Sequence, residues 1–161
     1  MSIKAFLNSK HIPYEVLSHE HAEGASRVAH ALHLPGTQVA KTILLKVNHG
    51  CRDVVAVLPA NRRIDPTAIS KAFGGAEIKF GDINDVVHHC PDCERGVLPP
   101  FGSQYAMRTL VDSTLASEDH IVFECNTHDE SIRMKWADFK HLESPLVVDF
   151  AVQEPVENAA T

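Results

Sequence analysis

Apolar residues recur at two periods along this chain, and each change of period marks a new element. From Val39 to Val47 the period is two, with Lys41, Ile43, Leu45 and Val47 on one face of a strand and Ala40, Thr42, Leu44 and Lys46 on the other. Asp53 to Leu58 is apolar almost without a break, as in a central strand covered on both faces, and Asn48-His49-Gly50 between the two runs predicts a turn and a hairpin. Helical spacing governs other stretches. Ser2 caps a helix to Ser9, and Pro13 then forces an extended segment in which Tyr14 to Leu17 reads as a strand. Ser26 opens a helix that runs to His33, buries Val28, Ala31 and Leu32, and stops at Leu34-Pro35-Gly36. Asp65-Pro66 starts another, ended by Gly74-Gly75; a strand follows from Ala76 to Phe80, and Asp82 caps a helix to His89.

Residues 90–105 break both periods and collect cysteines, glycines and prolines, which predicts a long ordered loop of the kind that carries function. Beyond it, Ala106 to Val111 reads as a strand, Asp112-Ser113 as a turn or cap, and Ile121 to Cys125 as a strand paired with Ser131 to Trp136 across a tip at 126–130. A helix from Ala137 to Leu142 and a strand from Leu146 to Phe150 complete the pattern, and the polar stretch from Ala151 reads as a loose tail. The fold class is α+β: a mixed, largely antiparallel central sheet flanked by helices, in one domain over 1–150 with a flexible tail at 151–161.

Composition narrows the classes. With 44% hydrophobic and 22% charged residues the chain is globular, and it lacks both the apolar run of a membrane helix and the features of a signal peptide, so the expected location is the cytoplasm. The net charge of −6 gives no global attraction to nucleic acid, so such a partner must meet a local patch; Arg62 and Arg63, with Lys71 and Lys79, are candidates for that rim, or are simply solvated. DNA and membrane partners are not expected. Four cysteines are too few for a disulfide scaffold, and free thiols are expected.

Two segments place chemistry where a plain core would not. Lys41 heads an otherwise apolar strand face, and Gly96-Val97-Leu98-Pro99-Pro100-Phe101-Gly102 is a bent, stiff backbone open to close approach. With the 28–35 helix and its Leu34-Pro35 end, the Gln38-Val39-Ala40-Lys41-Thr42 strand start and the Leu58-Pro59-Ala60 to Asp65 passage, the chain resembles the YbaK family, the prolyl-tRNA synthetase-associated editing domain, over residues 14–150. The resemblance implies an enzyme, a free-standing aminoacyl-tRNA deacylase. It would cut the ester between a wrongly attached small amino acid and the terminal ribose of tRNA(Pro) or a related tRNA, with no cofactor or metal, and a synthetase is a possible partner. It puts the family's lysine on Lys41, its Gly-x-x-x-Pro loop on Gly96 and Pro100, and a histidine of the alanyl-tRNA(Pro) branch on His128. It also assigns assistance in water activation to the ribose hydroxyl beside the ester.

The residues suit such chemistry. An aminoacyl ester is already activated, so positioning and charge stabilisation suffice without a protein nucleophile. Amides along Gly96, Val97, Leu98, Phe101 and Gly102, in a loop stiffened by Pro99 and Pro100, can hold the carbonyl or its oxyanion, where one donor is typically worth about 3 kcal/mol. Lys41 can hold a terminal phosphate or ester oxygen, and His128 is the candidate general base. Plainer readings stand beside these: a lysine snorkelling to water, a rigid connection, a solvated turn histidine, or a binding module without turnover. Cys90-Pro91-Asp92-Cys93 leads into the loop rather than opening a helix, which disfavours redox chemistry; zinc on Cys90, Cys93 and His88 or His89 would need Cys51 or Cys125 as well.

Overall fold

The computed structural model describes residues 2–48 and 52–154. Within them the elements follow the periods of the sequence. Helix α1 spans Ile3–Ser9 with the Ser2 hydroxyl on the Ala5 amide, β1 spans Glu15–Ser18, α2 spans Ala25–Ala31, and β2 (Ala40–Val47) pairs antiparallel with β3 (Arg52–Pro59). Two residues of the predicted turn, His49 and Gly50, lie outside the described residues, as does Cys51. Strand β4 (Arg62–Ile64) leads to α3 (Pro66–Ala72), capped by Asp65, then to β5 (Ile78–Phe80) and α4 (Ile83–His89), where Asp82 and Asp85 form a reciprocal capping box. After the loop come β6 (Arg108–Asp112), α5 (Ser113–Ala116), β7 (His120–Glu124), β8 (Glu130–Lys135), α6 (Trp136–Glu143), β9 (Leu146–Val148) and β10 (Ala151–Gln153).

The strands form three sheets rather than one. The central one has the order β5-β2-β3-β6-β9, β3-β6 and β6-β9 being parallel; β1-β8-β7 is antiparallel throughout, and β10-β4 is a two-stranded ribbon. A parallel bridge between Val39 and Val122 joins the start of β2 to β7. The domain is α+β, and most of its strand pairings are antiparallel. Strand β3 is buried from Val54 to Pro59, as its unbroken apolar run requires, because β2 and β6 flank it and both faces are packed. Among the described residues no helix is long and apolar enough to cross a membrane.

Two expectations are corrected. Helix α2 has its N-cap two residues early, at Gly24 with φ +96 in place of Ser26, and ends at Ala31; its buried face is Ala25, Val28 and Ala29, with Ala31 and Leu32 only half-buried. The tail expected to be loose from Ala151 begins as a strand, and its residues 155–161 lie outside the described residues. Residues 151–153 pair antiparallel with Arg62–Ile64, and the carboxylate of buried Asp112 accepts the amides of Phe150 and Ala151, each at 2.8 Å. Burial opposes the charge on Asp112 most strongly. The Thr114 hydroxyl and the Phe150, Ala151 and Thr114 amides outweigh it and hold the carboxyl below the usual range.

Candidate active site

The N-terminus of α2, the start of β2, the end of β7 and the loop after α4 meet around a cavity of about 130 Å³. Its wall includes Gly24, Ala40, Lys41, Thr42, Gly96 and Glu124. Lys41 and Gly96, 55 positions apart, thus face one cavity.

Lys41 keeps the strand face that its period assigns. Leu45 and Val47 of that face enter the core formed with Ile64, Ile69 and Phe150, and the Lys41 ammonium reaches the edge of the same layer. It donates to the Arg62 carbonyl on β4 and lies 3.4 Å from Glu154 Oε1, just beyond β10. The two-stranded ribbon therefore holds the ammonium in place.

The loop is fastened like core. Val97 and Phe101 have no exposed surface, and Leu98, Pro99 and Pro100 are also buried. The Phe101 ring stands edge-on to Phe6, Phe123 and Phe139 at 5.8, 5.5 and 5.1 Å, so this side chain anchors the loop instead of lining the cavity. A Cβ on Gly102 would sit 2.6 Å from Thr109 Oγ1 and 2.8 Å from the Met107 carbonyl, and the Gly102 amide donates to that Thr109 oxygen. The Val97 amide donates to the Glu94 carbonyl, and prolines have no N–H. These bonds reduce the set of amides expected to greet a ligand. Gly96 and Leu98 line the cavity, and their amides have no protein acceptor among the described residues. Gly96 has φ +90, a conformation glycine adopts without penalty.

His128 is neither a solvated tip residue nor part of the cavity wall. It is 3% exposed and stands directly behind Gly96, whose added Cβ would lie 3.7 Å from His128 Nε2. Its amide donates to Glu94 Oε2 at 2.8 Å, and its Nε2–H donates to the Arg95 carbonyl at 2.7 Å, two bonds that hold the approach to the loop, while its carbonyl accepts the Ala22 amide at 3.0 Å. Nδ1 is buried without a hydrogen bond and lies 3.8 Å from Glu124 Oε1. Burial is the strongest influence on the imidazole and opposes its charge. The Arg95 carbonyl and the Glu124, Glu94 and Glu23 carboxylates outweigh burial, and the group titrates above the ordinary histidine value.

Glu124, which the sequence reading passed over, is the carboxylate in the cavity wall. Its Oε1 accepts the Gly24 amide at 3.2 Å, and burial pushes its carboxyl above the usual range against the pull of His128. An acid closing the apolar run Ile121-Val122-Phe123 is the mirror image of the lysine opening β2, and that is the signal that identifies it. Of the basic rim, Arg62 and Arg63 sit on the strand whose carbonyl holds Lys41. Lys79 lies at the opposite end of β2, paired with Lys46 in register and 3.5 Å from Glu77. Among the described residues no group of three His, Cys, Asp or Glu side chains comes together to hold a metal ion.

Known proteins resemble the chain over most of its length. The multifunctional Ser/Thr-tRNA deacylase ProXp-y of Escherichia coli (strain K12) is 26% identical over 149 residues, covering 91% of this chain and 89% of that protein. The crystal structure of the hypothetical protein APE2540 superposes with a TM-score of 0.83 at 15% identity, covering 93% of this chain and 99% of the other. A candidate trans-editing enzyme for prolyl-tRNA synthetase does so at 0.76 and 16%, covering 95% of each chain, and both likenesses place the fold. Residues 19–142 match the aminoacyl-tRNA editing domain. The chain belongs to the aminoacyl-tRNA editing domain family, and its reaction is the deacylation of mischarged aminoacyl-tRNA.

Proposed function

We propose that this protein removes small amino acids, serine and threonine foremost, from tRNA to which they are wrongly joined, acting in trans in the cytoplasm. One observation carries the reading: a cation, a carboxylate and two residues whose amides have no protein acceptor among the described residues line one cavity of about 130 Å³. Glu124 takes the α-ammonium of the aminoacyl group. Lys41 takes a terminal phosphate or ester oxygen, exchanging its bond to Glu154 for one to substrate. The amides of Gly96 and Leu98 stabilise the oxyanion as water attacks the carbonyl, and Pro99 and Pro100 keep them aimed. His128 positions the loop through Arg95 and Glu94 and steadies the charge on Glu124. The small cavity favours exclusion by size, which separates side chains differing by one methylene by only about 1 to 3 kcal/mol, so several small residues share it. The hollow of about 410 Å³ along 20–31, with His21, Arg27 and His30 in its wall, supports a seat for the terminal adenosine. The acidic chain has little electrostatic pull on tRNA, which supports a synthetase partner that delivers it.

The test is single-turnover deacylation across a panel of charged tRNAs. Seryl-, threonyl- and alanyl-tRNA are expected to lose their amino acid faster than the spontaneous rate, and leucyl- and phenylalanyl-tRNA are not. Esters left unchanged or protected throughout the panel would overturn the proposal.

A further inference from the structure

Cys90 and Cys93 stand outside the cavity but immediately before the loop that forms it. The Cys93 amide donates to the Cys90 carbonyl at 3.2 Å, folding Pro91 and Asp92 into a turn that packs Cys93 against the buried cluster holding Cys90. Cys90 is buried at 2% exposure and Cys93 is half-buried. Around the Cys93 sulfur are Asn126 Nδ2, which donates to it at 3.2 Å, the Tyr105 hydroxyl at 3.5 Å and the Asp92 carboxylate at 3.8 Å, whose charge opposes the thiolate. A redox pair usually draws thiolate stabilisation from a helix N-terminus, which is why the sequence disfavours one here. The structure supplies that stabilisation from other elements, the β7–β8 tip and the short helical turn at Gly102–Tyr105. The effect separates the two sulfurs. The neighbouring Cys90 thiol, with the hydrogen bonds of Tyr105 and Asn126, lowers Cys93 to about 7, whereas the neighbouring Cys93 and burial push Cys90 strongly up, and burial raises Cys125.

We propose that Cys90 and Cys93 are a thiol–disulfide exchange site, with Cys93 as the attacking sulfur, Cys90 as the resolving one and a low-molecular-weight disulfide such as oxidised glutathione as the oxidant. Cys93 thiolate attacks one sulfur of that disulfide, forming a mixed disulfide as the original S–S bond breaks and the first glutathione thiolate leaves. Cys90 then gives up its proton, its sulfur attacks Cys93, and the second glutathione leaves. Two electrons pass to the glutathione, which departs as two thiols carrying the two cysteine protons. The site is wired to the loop. Asn126 also accepts the Ile3 amide through its side chain and the Glu94 amide through its carbonyl, so a change at Cys93 acts on the residues that lead to Gly96.

The experiment incubates the full-length protein in glutathione buffers of increasing oxidised fraction, quenches with acid and maps the cysteines by mass spectrometry. Wild type is expected to form the Cys90–Cys93 disulfide, Cys90→Ser to accumulate glutathione on Cys93, and Cys93→Ser to leave Cys90 unmodified. A parallel measurement on unmutated protein keeps the test independent of variant folding: alkylation of Cys93 by iodoacetamide should rise half-maximally near pH 7 while Cys90 and Cys125 stay unlabelled. A wild type that stays reduced in oxidised buffer, faster modification of Cys90 than of Cys93, or an alkylation profile centred at the ordinary thiol value would overturn the proposal. None of these outcomes depends on which tRNA is deacylated.

Discussion

Lys41 and Glu124 occupy the same cavity wall with opposite charges, and the protein treats them differently. Lys41 is given partners that a substrate anion can replace, whereas Glu124 is held by a backbone amide and backed by a buried imidazole. Replacing Lys41 by Ala is expected to lower single-turnover deacylation about a hundredfold with an unchanged far-UV CD spectrum, and Arg should not restore it, because a planar fork does not fill the place of a compact ammonium. For Glu124→Gln the readout is the NMR titration of the His128 ring. Glu124 is one of the groups that raise it, so its midpoint should move down. The linkage sign follows. Because the folded His128 value lies above the unfolded one, its contribution to stability is complete below pH 6.5 and lost as pH rises through the folded value, and in the variant that contribution is smaller and its loss is complete at lower pH. Lys41 was legible because a cation interrupts a period-two apolar pattern. The environment of His128 was not, since the groups that bond it, Glu94 and Arg95, are 34 and 33 residues upstream.

At the level of elements, the loop between α4 and β6 behaves as a piece of core that carries amides to a ligand. Phe101→Ala should cost about 3 to 5 kcal/mol in chemical denaturation, the usual price of emptying a fully buried aromatic site, and should slow deacylation because the loop loses its anchor. Asp112→Ala, which strands the Phe150 and Ala151 amides, should cost about 3 kcal/mol by the same measurement. Helices α3 and α4 were legible to within a residue because Asp65 and Asp82 are local caps. Strand β10 was hidden, since three residues of weak pattern become a strand only through a carboxylate 38 and 39 positions away and a partner, β4, that is equally short. Helix α2 shows the same limit on a smaller scale: Ser26 carries the better cap chemistry, but its hydroxyl bonds to the Ala60 carbonyl instead.

Across the whole molecule, 21 acidic residues outweigh 15 basic ones, so tRNA has to meet a local basic patch, and Arg62 and Arg63, on the strand whose Arg62 carbonyl holds Lys41, are the candidates. Their replacement by Ala should weaken tRNA binding and reduce the slope of log affinity against log salt by about 1 for each phosphate contact removed, while circular dichroism stays unchanged. The contact between Lys41 and Glu154 gives this acidic protein a further property. In the role proposed for Lys41, the ammonium would exchange this acid of its own chain for a negative group of the substrate, and a visitor without one would have nothing to trade. Free amino-acid esters, abundant or not, would be spared, and the toll would fall only on those carried by a nucleic acid.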